Sequence, residues 1–594
     1  MSGWGDEVAP PTSDERLDDV ELTLSQASEL EAVAGELELL FLAPERQQNP
    51  LWQDQIPRMT IKGLVIDEAH CISQWGHDFR PWYKRLVNVT INLGLRTPVL
   101  AVTATAPGDV VEDIRQQIAP HGENVEGVRL GSHRPNIELS ALAAEGFAER
   151  LAHALQLARL HSGQPGLVYL LTTEEAEMAA SFLSQHRIAA DHYHGKMDVE
   201  PKQEVLRRWS DAEVEIICAT AALGMGIDRA DVRWVAHLGM PDSLIRYVQE
   251  IGRIGRDGHP SHAYAVHDPD IDYSWMLTSG WPDPDDYRKI ASALTDEPKT
   301  RAELVEATDV PENTAQRVLD DLREQEFVER LPRSPATYVR RAAMNVDPVP
   351  EGIAESRRVR AAFHARAQAY LADEGCRARQ LAEAMSDESL PPQCGICDRC
   401  RNRSWPLDPV AVQAAKHFLA SYKPTIRLEY GKRKIGRALS IYGMGTIGEA
   451  VQSSKYQKRP TPRPVVDAAL QLLRDPEGPY ADVTFDAVVS IPSTSSGNFV
   501  ADFAARVANS LGVPHVALSK ARQTQPQKNF RSKLHKKRNV KGAFDRADIA
   551  GARTVLLIDD IWATGASMSE AARALQPAVV YPLTMARTRH QGDL

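Results

Sequence analysis

The sequence predicts a multidomain α/β protein, and three observations lead to this prediction. The chain has 594 residues, more than one hydrophobic core accommodates, and the usual domain size divides it into about three to five units. Its first half alternates short apolar runs with amphipathic helical segments, which is typical of a parallel sheet covered by helices. Four of its six cysteines lie between positions 376 and 400. In a chain with too few cysteines for a disulfide scaffold, such a cluster indicates a metal site.

The composition excludes several classes of protein. Hydrophobic residues make up 43% and charged residues 25% of the chain, and no window holds the roughly eighteen uninterrupted apolar residues of a membrane span. Residues 1–19 are acidic and lack the basic start and apolar core of a signal peptide. The net charge of −11 argues against a globally basic nucleic-acid-binding surface, although local basic patches are compatible with it. We therefore predict a cytoplasmic protein with no membrane partner.

Six apolar runs rich in Val, Ile and Leu predict the strands of the first half. They are ELELLFLAP, IKGLVIDEAH, TPVLAVTATA, QPGLVYLLTT, VEIICATAALG and VRWVAHLGM, and TEEAEMAASFLSQH is a clear helical segment between two of them. Parallel sheets place their functional loops at the carboxyl ends of the strands. The polar motifs of this chain fall at those positions.

An acid pair follows the apolar run GLVI. Asp67 and Glu68 emerge at a strand tip, where one carboxylate can hold Mg²⁺ and the other can orient a water, as in a Walker-B arrangement. A solvated strand end has the same local pattern, so the pair alone leaves both interpretations open. The segment QEIGRIGRDG adds Arg253 and Arg256. Their spacing lets one helical turn or tight loop aim both guanidinium groups at a γ-phosphate.

In their order along the chain, these motifs resemble those of the RecQ family of superfamily 2 helicases. The motifs are DEAH followed by CISQWGHDFRPWYKRL, VTATA at 102–106, HYHGKMD at 192–198, ATAALGMGID at 219–228 and QEIGRIGRDG at 249–258. The resemblance covers roughly residues 39–275. It implies two RecA-like lobes, at 1–140 and 141–280, in an ATP-dependent 3′–5′ DNA helicase. Such a protein would act on single-stranded and branched DNA in repair or recombination, with ATP and Mg²⁺ as cofactors.

The resemblance also implies roles for individual residues. Asp67 would bind Mg²⁺, and Glu68 would activate the attacking water. His70 and Gln249 would couple the two lobes. The two arginines, Arg253 and Arg256, would contact phosphates. These residues form the predicted catalytic set.

The loop after the acid pair is rich in aromatic and basic residues. Bases stack on aromatic rings with about 1–3 kcal/mol per base and without regard to sequence, as a translocating motor requires. Packing in the core is the alternative for an isolated Trp–Phe pair. In RecQ-like helicases the corresponding loop senses single-stranded DNA, so the resemblance implies a DNA-binding set of Trp75, His77, Phe79 and Arg80.

The sequence ahead of the acid pair has no GxxxxGK[ST] loop, whose amide groups and lysine cradle the β- and γ-phosphates. LELLFLAPER resembles a motif that follows this loop in the family. We therefore expect the first lobe to be incomplete, either because the true start lies upstream, which the intact later motifs favour, or because the lobe has degenerated. Two alternatives to the helicase stay open on this ground. They are a non-hydrolysing DNA-binding or regulatory protein, and a chain in which the C-terminal domain described below is the only working enzyme.

Residues 281–345 resemble a winged helix-turn-helix. Two amphipathic helical patterns meet around DVPENT, and a strand-rich stretch follows. Arg317 and Arg323 lie on the second helical pattern, but four acidic residues accompany them, so phosphate contact and plain packing both stay open. RecQ proteins commonly carry their winged helix after the zinc module, and here the order is reversed.

Cys376, Cys394, Cys397 and Cys400 supply four soft ligands, with two-residue spacings that suit a tetrahedral Zn²⁺ ion. A redox Cys-x-x-Cys pair is the alternative. The pattern also matches the RecQ zinc-binding helical hairpin, which would occupy residues 346–406. Cys71 and Cys218 are predicted to be packing residues.

Residues 407–470 are predicted to form a polar linker, and residues 471–594 a second α/β domain. In that domain, TVLLIDDIWATGASMSEAARAL places an acid pair and a small-residue loop between a strand and a helix. It resembles the ribose-phosphate signature of type I phosphoribosyltransferases, which implies binding of phosphoribosyl pyrophosphate (PRPP). The resemblance implies that the acids hold the ribose hydroxyls and the loop wraps the 5-phosphate. The implied binding residues are Asp559, Asp560, Ala563, Thr564, Gly565, Ala566 and Ser567.

A basic segment, residues 520–541, precedes that signature. It holds nine Lys or Arg and no Asp or Glu, a density that suits a DNA backbone or a pyrophosphate group, with a solvated basic loop as the alternative. Its pattern is that of ComF-like members of the phosphoribosyltransferase family. The matching residues are Arg522, Thr524, Gln527, Arg538, Asn539, Ala543 and Phe544.

Overall fold

The computed structural model describes most of the chain in two compact units. The first unit comprises Met1–Ser132 and Glu383–Glu388, and the second His133–Ala382 and Ser389–Leu594. The described residues are 37–43, 59–73, 98–105, 107–119, 125–224, 229–278, 282–331, 335–341, 347–350, 353–428, 435–443, 445–457, 459–493, 497–545, 549 and 551–588. Among them, no helix combines the length and the apolar character needed to cross a bilayer.

The first unit contains two short parallel strands and one α-helix in its described part. They are β1 (Leu64–Ile66), β2 (Val99–Ala101) and α1 (Gly108–Ile118), with a 3₁₀ turn at Ala69–Ile72. Ile66 pairs with Ala101 at the ends of the two strands. The 3₁₀ turn packs against α1 through Ile72, Val110 and Ile114, which are buried. The acid pair therefore follows a parallel strand, as the sequence predicts.

The second unit begins with a parallel six-stranded sheet. Its strands are β3 (Ile137–Ala143), β4 (Gly166–Tyr169), β5 (Ala190–Tyr193), β6 (Ile216–Ala219), β7 (Trp234–His237) and β8 (Ser261–His267). Their order in the sheet is β3-β8-β7-β4-β6-β5, and every neighbouring pair is parallel. The helices are α2 (Phe147–Leu160), α3 (Thr173–Gln185), α4 (Val199–Ser210), α5 (Leu244–Ile251) and α6 (Ser274–Thr278). All residues of the central strands β4, β6 and β7 are buried, which explains their continuous apolar runs.

A three-helix module follows at residues 283–341. Its elements are α7 (Pro284–Ala293), β9 (Lys299–Thr300), α8 (Arg301–Thr308), α9 (Glu312–Glu324), β10 (Val328–Leu331) and β11 (Thr337–Arg340). The strands form an antiparallel sheet in the order β10-β11-β9. Thr300 and Glu303 form a capping box that starts α8. The turn between α8 and α9 is tight, with Asp309 in the left-handed region at φ 56°.

The cysteine-rich part of the chain is helical. Its helices are α10 (Ile353–Ala372), α11 (Arg377–Ala384) and the short α12 (Asp398–Arg401). Cys376 lies directly before α11, and Cys397 caps the N-terminus of α12. Gly395 adopts a positive φ of 75°, which suits the tight turn between the last three cysteines.

The C-terminal part contains a second six-stranded sheet, in the order β12-β13-β17-β16-β14-β15. The strands are β12 (Thr425–Arg427), β13 (Ile435–Ala438), β14 (Ala487–Ser490), β15 (His515–Ala517), β16 (Thr554–Trp562) and β17 (Val579–Arg587). Only the edge pair β12–β13 is antiparallel. The helices are α13 (Pro409–Ser421), α14 (Gly445–Gln457), α15 (Arg463–Leu473), α16 (Phe499–Leu511), α17 (Lys533–Val540) and α18 (Ala566–Ala574).

The prediction of a linker at residues 407–470 is wrong. Helix α13 packs on the first sheet's core, where Phe418 lies 5.2 Å from Phe182 between ring centroids. Ile426 and Ala438, in β12 and β13, are buried in the second sheet. The prolines, lysines and arginines of this stretch suggested a solvated chain, but its apolar residues lie on the faces that pack. The C-terminal domain therefore starts about fifty residues earlier than the sequence predicts, at Thr425 rather than at residue 471.

Candidate functional site

The acid pair lies at a strained turn after β1. Glu68 has φ 50° and ψ 45°, a left-handed conformation that is uncommon for a residue with a side chain and that clusters at functional sites. The backbone N–H of Glu68 donates to Oδ1 of Asp67 at 2.9 Å. This hydrogen bond and the turn therefore fix the backbone that carries the two adjacent carboxylates.

His70 joins the acid pair to the segment after β2. Its Nδ1 lies 3.2 Å from Oε2 of Glu68 and 3.1 Å from Oγ1 of Thr103, and its side chain is buried. Thr103 also donates to the carbonyl of Thr105 at 3.1 Å. Thus two motifs that lie more than thirty residues apart in the sequence, DEAH and VTATA, meet at one imidazole in the first unit.

Gln249, Arg253 and Arg256 lie in the second unit, and the cleft that they would share with the acid pair stays a prediction. Gln249 is in the last turn of α5. Arg253 is half-buried in the turn that follows, and Arg256 is exposed. The predicted DNA-binding residues Trp75, His77, Phe79 and Arg80 lie outside the described residues, as do residues 225–228 of the motif ATAALGMGID.

A buried hydrogen bond that the sequence did not reveal orients α5. Glu250 accepts from Nε2 of His237 at 2.8 Å, and both side chains are buried. The His237 ring stacks on Tyr169 with centroids 5.0 Å apart. These residues line a pocket at the carboxyl ends of β4 and β7 together with Arg246, which is where parallel sheets place their sites. Gln249 precedes Glu250 on the same helix, so the contact of Glu250 also fixes the backbone position of Gln249.

The four cysteines meet at one point, as the sequence predicts. Their Sγ atoms all lie within 4.8 Å of one another, and those of Cys394 and Cys400 are 4.0 Å apart. A tetrahedral ion with Zn–S bonds of about 2.3 Å holds its sulfur atoms about 3.8 Å apart. The donor set and its spacing therefore fit Zn²⁺.

The cysteine cluster is attached to β3 by buried charges. Arg377 and Asp398, which each follow a cysteine ligand, form an ion pair at 3.2 Å and are almost fully buried. The other oxygen of Asp398 accepts from the backbone N–H of Ala141 at 2.9 Å. Arg401 and Arg403 both pair with Glu138. Because breaking a buried pair leaves an uncompensated charge, this network holds the cysteine module to the parallel sheet.

The second acid pair lies in the last third of β16. Asp559 pairs in register with Thr584 of β17, and the backbone N–H of Asp560 donates to Oδ1 of Asp559 at 2.9 Å. Burial raises the pKa of Asp559 to about 8, and the carboxylate of Asp560 is the second cause. Two acids so close, and partly shielded from water, favour a bound group that supplies hydroxyl donors or positive charge.

The small-residue loop after β16 reaches the N-terminus of α18. Gly565 is the N-cap with φ 75°, and a Cβ there would lie 2.5 Å from the ring of Trp562, so only glycine fits. Ala566 starts α18 and is buried, whereas Ser567 is half-buried; Ala563 and Thr564 lie in the turn before Gly565. The structure thus brings these loop residues close to the acid pair.

Lys455 belongs to this site, although the sequence analysis placed it in a linker. Its Nζ lies 2.8 Å from Oδ2 of Asp560. Lys520 contributes positive charge near Asp559, and its Nζ donates to Oγ1 of Thr524 at 3.1 Å. Two lysines from distant parts of the sequence therefore face the two acids. No local signal marks Lys455, since its role depends on how α14 packs against the second sheet.

Comparisons with known proteins identify the first part of the chain. Residues 15–114 match the DEAD/DEAH box helicase family, and residues 148–258 match the helicase conserved C-terminal domain. The probable ATP-dependent DNA helicase RecS of Bacillus subtilis is 39% identical over 233 residues, which are 39% of this chain and 46% of that protein. The ATP-dependent DNA helicase RecQ of Pasteurella multocida is 33% identical over 261 residues, 43% of this chain and 39% of that one.

Among solved structures, S. cerevisiae Dbp5 bound to RNA and ADP BeF3 aligns with a TM-score of 0.32 and 16% identity, over 38% of this chain and 57% of that chain. The chain spans less than half the length of the two curated relatives. The acid pair lies within the first family match, and Gln249, Arg253 and Arg256 lie within the second. This chain therefore carries the DEAD/DEAH box and helicase C-terminal regions, in a sequence similar to RecQ-type ATP-dependent DNA helicases.

Proposed function

We propose that the protein is an ATP-dependent DNA helicase of the RecQ type, which moves 3′ to 5′ on single-stranded DNA in repair or recombination in the cytoplasm. The observation that carries this proposal is the contact of His70 with both Glu68 and Thr103. This contact links the acid pair to the VTATA segment, so that a change at the nucleotide can reach the segment that follows β2. The matched family regions and the names of the relatives support the same activity.

In this proposal each polar residue has a separate task. Asp67 would hold Mg²⁺, which would neutralise charge on the phosphates. Glu68 would take a proton from the attacking water, and His70 would hold the Glu68 carboxylate in place. Arg253 and Arg256 would contact the phosphates, and Gln249 would couple the lobes. Trp75, His77, Phe79 and Arg80 would bind single-stranded DNA by stacking and phosphate contact.

Unwinding polarity tests this proposal directly. We expect the protein to separate a duplex that carries a 3′ single-stranded tail at least tenfold faster than the same duplex with a 5′ tail, in the presence of ATP and Mg²⁺. The measurement is strand separation of a fluorophore–quencher duplex. A blunt duplex is the control. Equal rates on both tailed substrates contradict the polarity, and DNA binding without any ATP-dependent separation supports a non-hydrolysing DNA-binding protein instead.

A second candidate function belongs to the C-terminal domain, which we propose to be a phosphoribosyltransferase-like, PRPP-binding domain. The arrangement of Asp559 and Asp560 ahead of Gly565 and the N-terminus of α18 supports it. The acids would accept from the ribose hydroxyls, and the amide groups at the start of α18 would hold the 5-phosphate. Lys455 and Lys520 would offset the charge of the acids before the ligand arrives.

Replacement of Asp559 by Asn tests this candidate with two readouts. The pKa of Asp559, about 8 in the folded chain, is above the value of about 3.9 in an unfolded chain. The folded state therefore binds the extra proton, and ionisation costs stability as the pH rises from about 4 to 8. We expect Asp559→Asn to lose PRPP binding in calorimetry. We also expect it to raise the melting temperature more at pH 8 than at pH 5. The difference between the two rises is about 2–4 °C, which corresponds to roughly 1 kcal/mol of stability.

The exposed Asp482 offers a matched control, since Asp482→Asn removes a carboxylate from the same domain away from the acid pair. We expect no change in PRPP binding for this variant and no pH-dependent gain in stability. Retention of PRPP binding by Asp559→Asn would contradict the proposed role of Asp559 in binding the ribose hydroxyls. A stability gain of equal size at both pH values would show that Asp559 does not carry the raised pKa.

A further inference from the structure

The motif HYHGKMD brings two histidines to one edge of the first six-stranded sheet. It begins in β5, the last strand in the order β3-β8-β7-β4-β6-β5. His192 lies in β5 and His194 follows the strand directly, and alternate residues of an extended chain point to the same face. Their rings stack with centroids 5.4 Å apart. The proposed helicase mechanism uses neither of these histidines.

A glutamate of α3 completes the group. One carboxylate oxygen of Glu177 lies 3.3 Å from Nε2 of His194. Glu177, His192 and His194 each offer one donor atom, and these three atoms all lie within 4.8 Å of one another. A divalent ion with bonds of about 2.1 Å fits between donors that are roughly 3.4–4.2 Å apart. Small rotations of the side chains are therefore enough to bring the three donors onto one ion.

His194 is the buried member of the group. Its side chain is 6% exposed, and its Nδ1 has no hydrogen-bond partner among the described residues. A buried polar atom without a partner is costly, and such atoms are rare in folded proteins. Either ring nitrogen of a histidine can bind a metal, and the nitrogen that does so needs no hydrogen bond. A ligand to this imidazole would therefore account for its burial.

An acid of β5 contacts His192 from the other side of the ring. Oδ1 of Asp191 lies 3.4 Å from Nδ1 of His192, and Oδ2 of Asp191 pairs with Arg208 at 2.7 Å. A histidine that binds a metal almost always donates its other ring N–H to a carboxylate, a carbonyl or water, which fixes the ring. In this arrangement Nε2 of His192 is the nitrogen that would bind an ion.

We propose that Glu177, His192 and His194 form a zinc site that is separate from the four-cysteine cluster. Two imidazoles and one carboxylate suit Zn²⁺, whereas Mg²⁺ prefers oxygen ligands. Three protein ligands leave a coordination position open for water or a small anion. The ion would join α3 to β5 at the carboxyl end of the strand. The site needs neither nucleotide nor DNA, so it goes beyond the proposed helicase activity.

The charges around the group determine how tightly it holds the ion. Arg587 of β17 interacts electrostatically with Glu177, and its guanidinium group donates to the carbonyl of Thr425 at 3.1 Å. This positive charge opposes a cation, and the carboxylates of Glu177 and Asp191 favour it. We therefore expect zinc to bind here more weakly than to the four thiolates.

Zinc binding to the full chain tests the proposal. The protein carries no histidine tag, its cysteine cluster is loaded with one equivalent of zinc, and ATP, DNA and PRPP are left out. We expect titration calorimetry to show one further equivalent of Zn²⁺ that excess Mg²⁺ does not displace. Co²⁺ in place of this second ion is expected to absorb in the visible without the near-ultraviolet band of a cobalt–thiolate bond. Hydrogen exchange is expected to slow in peptides from residues 173–194.

Glutamine variants of the two less buried ligands locate the site. The side chains of Glu177 and His192 are 29% and 35% exposed, so we expect Glu177→Gln and His192→Gln to fold. Loss of an outer-shell partner alone lowers metal affinity about 10–100-fold, and we expect each variant to bind zinc at least about tenfold more weakly. Glu200→Gln and His417→Gln are matched controls, because both residues are exposed and belong to neither cluster. We expect them to bind zinc like the unchanged protein.

Three results would overturn the proposal. They are the absence of a further equivalent of zinc, a loss of the same size in the controls, and a cobalt–thiolate band from the second ion, which would assign it to cysteine. Absence of DNA-stimulated ATP hydrolysis would contradict the proposed helicase activity and would leave the zinc titration unchanged. Failure of one proposal can therefore be told from failure of the other.

Discussion

Replacement of Cys397 by serine is expected to lower the zinc content by one equivalent per chain and to unfold the helical segment around it. The thiol of Cys397 is fully buried, and four thiolates are needed to complete a tetrahedral structural site. Apparent binding energies of structural zinc are about 10–16 kcal/mol at pH 7 in small zinc modules. The loss of one ligand is therefore expected to cost several kcal/mol, the largest stability effect that we predict. Atomic emission gives the zinc content, and limited proteolysis within residues 346–406 reports unfolding.

Cys218→Ala is the matched control for this prediction. Cys218 is buried in β6, away from the cluster, and we expect its removal to leave the zinc content unchanged. The attachment of the module to β3 gives the prediction a second consequence, because Arg377 and Asp398 directly follow Cys376 and Cys397. Collapse of the cluster is expected to expose this ion pair, so that new proteolytic sites appear near Arg377. Full zinc content in Cys397→Ser would rule out the four-thiolate site.

Replacement of Glu68 by Gln is expected to lower DNA-stimulated ATP hydrolysis at least a hundredfold. A positioned general base contributes about 10²–10⁴ to rate, and glutamine has nearly the same shape but does not take the proton. It also keeps an oxygen for the contact with His70, which is 3.2 Å away in the unchanged protein. We therefore expect the fold and the affinity for single-stranded DNA to persist. The measurement is phosphate release with and without single-stranded DNA.

Glu112→Gln is the control, since Glu112 is an exposed acid on α1 of the same unit. It is expected to hydrolyse ATP at the rate of the unchanged protein. Unimpaired hydrolysis by Glu68→Gln would remove Glu68 from the proposed mechanism. If the unchanged protein binds DNA but shows no stimulated hydrolysis, the non-hydrolysing interpretation replaces the helicase.

Features with a local cause were predictable from the sequence. Five of the six apolar runs contain strands in the structure, and the central strands β4, β6 and β7 are among them, because strands that are buried on both faces must be apolar throughout. The described residues 37–43 of the run ELELLFLAP form no strand. Asp67 and Glu68 were expected at a strand tip, and they follow β1. The spacing of the last three cysteines indicated one site, since cysteines separated by two residues in a tight turn converge on a common point. In each of these cases, residues that are close in the sequence determine the local structure.

Only the tertiary structure decided which distant segments meet. The stretch 407–470 seemed a linker because prolines, lysines and arginines recur along it, notably in KRKIGR and SSKYQKRPTPRP. Phe418 and Ile426 are nevertheless buried against separate sheets, so the stretch is folded. Lys455 reaches Asp560, and Arg531 reaches Asp286, through packing that no periodicity encodes. Charges that looked available for phosphate are paired within the chain, because a buried carboxylate needs a partner and the nearest cation in space supplies it. Local pattern thus determined the elements and the metal-ligand set, whereas long-range burial and charge pairing determined the domain boundary and which charged groups face each other.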